Sequence, residues 1–68
     1  MKVAKLQGLV AVDSDKEQTQ TIYFNMANIV SWHLSVNHEG YTIIYTEDGK
    51  AFFVEETPEQ IETLMKRG

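Results

Sequence analysis

Between Ile29 and Val36 the chain alternates without a break. Val30, Trp32, Leu34 and Val36 are apolar or aromatic, and Ser31, His33 and Ser35 between them are polar. Successive side chains of an extended strand point to opposite faces, so this pattern predicts a half-buried strand of an antiparallel sheet. A lone strand has nothing to pair with, and the rest of the chain must supply its neighbours. Lys2 to Val12 (KVAKLQGLVAV) predicts a first strand, with Gly8 as a bulge or bend, and Thr21 to Phe24 (TIYF) a short second one. Tyr41 to Thr46 (YTIIYT) and Ala51 to Glu55 are rich in β-branched and aromatic residues, as strands are.

Turn chemistry separates these runs. Asp13 to Gln20 is polar throughout and reads as a loop or hairpin end. The asparagines of Asn25-Met26-Ala27-Asn28 suit a turn, and Asn37 to Gly40 supplies a hairpin loop. Asp48-Gly49 marks a tight turn, since glycine adopts a positive φ without a Cβ clash.

After Glu56 the period changes. In TPEQIETLMKRG, Thr57 can cap a helix, Pro58 fits its first position, and Gln60 completes a capping box. Glu59 and Glu62 lie towards the positive end of the helix dipole, Lys66 and Arg67 towards the negative end. Ile61, Leu64 and Met65 form one apolar stripe. The fold expected is therefore mainly β (α+β), a single domain over residues 1–68: an antiparallel meander of four to five strands with one short C-terminal helix.

At 68 residues such a domain buries only about 60% of its unfolded surface, so its core is thin and self-association is a natural supplement. Without cysteine there are no disulfides and no thiolate chemistry, which fits a reducing, cytoplasmic setting. The net charge of −4 offers phosphates no basic patch, and no stretch is long and apolar enough for a membrane-spanning helix.

Chemistry-bearing clusters are few. His33, His38 and Glu39 have ligand chemistry, but they fall on different elements and are expected to hold no metal. Glu55 and Glu56 point to opposite sides of a strand, while Glu59 and Glu62 serve the helix start. No nucleophile–base pair or glycine-rich phosphate loop accompanies them, so neither enzyme activity nor a cofactor is expected. The aromatics are more informative. Phe52-Phe53 and Tyr23-Phe24 are adjacent in strands and must face opposite ways, and one short helix does not cover two faces. Exposed aromatics on an acidic domain point to protein contact, with Trp32, Tyr41, Tyr45 and Phe53 as the expected anchors.

The order of these signals resembles the small flagellar-operon proteins of the FlbD type. The matching residues are Leu6 and Gly8, Asn25, Ile29, Thr42 and Ile43, Gly49, Phe52 to Glu55, and Ile61. A phage protein of similar design fits the same pattern. Both resemblances are to small accessory proteins, and the protein partner expected from the exposed aromatics is left unidentified by them. The functional expectation is a non-enzymatic interaction module that forms a homo-oligomer through uncharged strands and sheet aromatics, and the alternative is a nucleic-acid-associated regulator.

Overall fold

A computed structural model of the chain describes residues 2–13 and 16–67, with the side chains of 11–17 outside the description. Five strands, one three-residue 3-10 turn and one helix follow in the order β1 (Val3–Asp13), β2 (Lys16–Asn25), the turn Met26–Asn28, β3 (Ile29–Leu34), β4 (Thr42–Thr46), β5 (Ala51–Val54) and α1 (Pro58–Lys66). All ladders are antiparallel, and the strands lie in the order β2-β1-β5-β4-β3. The mainly β, α+β architecture expected from the sequence is the one observed, but the sheet is not the simple meander expected: β1 pairs with β5, and the consecutive β2 and β3 do not pair.

This order makes β2 and β3 the two edges, although only the 3-10 turn separates them along the chain. In a flat sheet the outermost of five strands would lie about 19 Å apart. The four Cα steps from Asn25 to Ile29 reach at most about 14 Å, so the sheet must curl. The β1–β5 ladder is the shortest of the four, with Gly8 opposite Val54 as its single pair among the described residues. Two further bonds fasten the fold: Glu55 N–H donates to the Gln7 carbonyl at 2.9 Å, and Gln7 N–H donates to the Glu56 carboxylate at 3.0 Å. A Cβ at Gly8 would lie 2.3 Å from Ile22 Cδ1 on the neighbouring β2, so a larger residue there requires the end of the Ile22 side chain to move.

The second strand is longer than its composition predicts. The polar stretch read as a loop is largely ladder, with Lys16 to Thr19 continuing β2 opposite Asp13 to Leu9; its positions 14 and 15 lie outside the described residues. Pairing through the backbone tolerates polar side chains, so an edge strand needs no apolar pattern. The Asn25 turn forms as expected, with Asn25 Oδ1 accepting from Ala27 N–H. At the β4–β5 connection Gly49 has φ +82°, and every described non-glycine residue keeps a negative φ. Asp48 therefore does not join a two-residue primed turn. Gly49 instead follows a turn closed by its own N–H on the Thr46 carbonyl.

The helix begins where the capping box places it. Gln60 N–H donates to Thr57 Oγ1 at 3.1 Å, and Thr57 N–H donates to Gln60 Oε1 at 2.8 Å. Its apolar stripe lies on the concave side of the sheet. There Ile61 is fully buried with Leu6, Met26, Ile44 and Val54, and Leu64 and Met65 pack against them. Phe24 and Phe52 meet edge to face across this core, their centroids 5.2 Å apart. Lys2 Nζ donates to the Met65 carbonyl and ties the far end of the helix to the start of β1.

Candidate interaction surface

The ladder registers sort the strand residues onto two faces. Ile44 and Val54 are in the core, so their alternating neighbours Ile43, Tyr45 and Phe53 occupy the opposite face, which the helix leaves open. Across the ladder Ile43 faces Phe53 on one side and His33 on the other. His33 leans over Tyr45 with ring centroids 5.7 Å apart, and His38, from the β3–β4 loop, meets Phe53 edge to face at 4.6 Å. On β2 of the same face Tyr23 is 65% exposed, with the Lys5 ammonium 5.6 Å from its ring centroid.

The four aromatics singled out from the sequence therefore divide. Tyr45 is 38% exposed and Phe53 is half-buried, and both lie on the open face. Tyr41 is buried beside the β3–β4 loop. Trp32 lies on the helix side, packed against the core, and its indole N–H donates to the Pro58 carbonyl at 3.0 Å. Its observed contacts seat the first turn of the helix. The two histidines are spent on different rings, and among the described residues no three His, Asp or Glu side chains gather as metal ligands. Glu56 caps the Gln7 amide, while Glu59 lies in the first turn of the helix and Glu62 pairs with Lys66 at 3.2 Å.

The strand that most constrained the sequence reading behaves differently from its pattern. Its register slips between Ile29 and Ser31, leaving Val30 in a bulge. Ile29 takes the buried place and Val30 is exposed, after which Trp32 resumes on the core side. Leu34 ends the strand exposed, and Val36 lies beyond it, 92% exposed. The alternation predicts one half-buried face for Val30, Trp32, Leu34 and Val36, whereas the three aliphatics are surface residues. One sequence signal marks them: from Gln18 to His38 there is no Asp, Glu, Lys or Arg. That run covers β3 and most of β2, the two edges of the sheet.

Among the described residues no helix is long and apolar enough to cross a membrane. The chain matches no protein-family model, and no curated protein or solved structure matches it significantly. The class defined by fold and surface is a curled five-stranded antiparallel sheet with one face sealed by a helix and the other open.

Proposed function

We propose that this domain is a non-enzymatic interaction module that self-associates and acts by docking its sheet on protein surfaces. The observation that carries this reading is the set of apolar side chains left outside the core: Tyr23 and Tyr45 on the open face, and Val30, Leu34 and Val36 along β3 and just past it. Scattered single hydrophobics are ordinary on a surface, but a continuous uncharged stretch on an acidic chain needs a non-ionic partner. The resemblance to FlbD-type and phage accessory proteins supports the same role.

Sedimentation equilibrium at micromolar concentration tests the self-association, with an oligomer expected and a 7.8 kDa monomer overturning it. Titration of generic duplex DNA at several salt concentrations tests the rival nucleic-acid role. The interaction reading expects no binding, whereas binding with a steep salt slope would favour the rival.

A further inference from the structure

We infer that the free edge of β3 is the self-association surface, and that two copies pair β3 against β3 antiparallel about a two-fold axis passing at His33. This inference rests on the proposed self-association and gives it a place and a register. β3 is hydrogen-bonded to β4 on one side only. Ser35 N–H donates to the Tyr41 carbonyl at 2.9 Å. Antiparallel alternation then turns the backbone groups of Ser31, His33 and Ser35 towards β4, and those of Trp32 and Leu34 outward. An edge of this kind is a template for another strand unless charge, proline or a covering element blocks it. Here the edge carries no formal charge, and Val30 and Leu34 stand exposed along it.

A second copy suits this surface better than an ionic partner does. Two chains of net charge −4 repel over most of their surfaces and approach most easily where neither carries charge. The sequence of the other edge, β2, includes Lys16 and Glu17, whereas no residue of β3 carries a formal charge. Antiparallel self-pairing consumes one β3 edge from each copy and closes at two.

The register follows from the bulge. Pairing centred on Trp32 would bring the bulged Val30 into the ladder, and pairing centred on Leu34 would require Val36, which lies past the strand end. Centring on His33 keeps the contact within the regular part of β3. Each Trp32 then faces Leu34 of the second copy as a hydrogen-bonded pair. The two His33 residues face each other as the closer, non-hydrogen-bonded pair, with Cα atoms about 4.5 Å apart.

That spacing lies within disulfide reach, and the chain has no cysteine of its own, so one introduced thiol reports one contact. His33→Cys, oxidised at micromolar concentration, is expected to convert to a covalent dimer, while Tyr23→Cys on the exposed part of β2 stays largely monomeric. His33→Lys places like charges across the axis and is expected to weaken dimerisation roughly tenfold or more, with unchanged far-ultraviolet circular dichroism. His38→Lys, the same charge change on the β3–β4 loop, leaves the dimer intact. If the wild-type protein is a dimer but His33→Cys does not cross-link and His33→Lys dimerises normally, the β3 edge is overturned and self-association stands. A wild-type monomer overturns both.

Discussion

Ile44 and Tyr45 are neighbours in β4, yet the first is fully buried under the helix and the second is more than one-third exposed. The same division runs through β5, where Val54 is sealed and Phe53 is half-covered by His38. Alternation makes the two faces and one helix chooses between them. On the helix side, apolar area is removed from water by folding itself and holds the domain together. On the open side and along β3, comparable side chains add little to the fold and remain available to another surface. Substitutions on the first face should therefore be read in stability, and those on the second in association.

The largest effect expected is at Ile61. It is the one fully buried residue of the helix, and Ile61→Ala should cost about 2–5 kcal/mol in denaturant unfolding. A loss below 1 kcal/mol would mean that the helix does not seal this face. Thr42 moves in the other direction. Its hydroxyl is buried among core residues without a hydrogen-bond partner, so Thr42→Val should raise stability by about 1 kcal/mol, and a loss would reveal a bond that the side chain makes. Helix seating gives intermediate values. Thr57→Ala removes half of the capping box, and Trp32→Phe removes the indole bond to Pro58; each should cost about 1 kcal/mol. If Trp32→Phe left stability untouched, the indole bond to Pro58 would not be what seats the helix.

Tyr45→Ser sharpens the contrast from the other side, with an expected stability change within about 0.5 kcal/mol. A loss as large as that of Ile61→Ala would erase the distinction between the faces. The smallest effect concerns acid. The Thr46 hydroxyl donates to Asp48 and holds its carboxyl below the ordinary 3.8, with weaker help from Lys50. A depressed folded value contributes stability above the ordinary pKa and loses it as pH falls through the folded one. Asp48→Asn should therefore lower stability slightly at neutral pH, and the difference should shrink as pH falls through the folded value. An equal difference at neutral and acidic pH would point to lost packing instead.

The helix and both of its signals were legible in the sequence because caps are local. Thr57, Pro58 and Gln60 satisfy backbone groups within one turn, whatever the rest of the chain does. The β4–β5 hairpin was legible for a similar reason, since Gly49 supplies its positive φ within a few residues. The candidate surface was legible only in part. Period-two alternation separates neighbours onto two faces without saying which face the helix covers; in the structure Tyr45 and Phe53 lie on the open face and Trp32 on the helix side.

Val30 shows why. Alternation predicts which residues share a face only while the ladder is regular, and a bulge shifts the parity of every residue after it. Nothing in the local sequence of Ile29 to Leu34 announces that slip. It is set by β4, by Glu47 N–H donating to the Asn28 carbonyl, and by the need to join two distant edges through a short turn. The extension of β2 to Lys16 was hidden for a related reason, because pairing through the backbone leaves no mark in side-chain polarity. The sequence by itself determined the helix start, the glycine turn, the sheet-forming runs and the charge-free stretch from Gln18 to His38, all of which depend on near neighbours or on composition alone. Only the tertiary structure decided that β1 joins β5 at Gly8, that the helix seals the face of Ile44 and Val54, and that Val30 and Leu34 are left outside, because these outcomes depend on contacts between residues far apart in the chain.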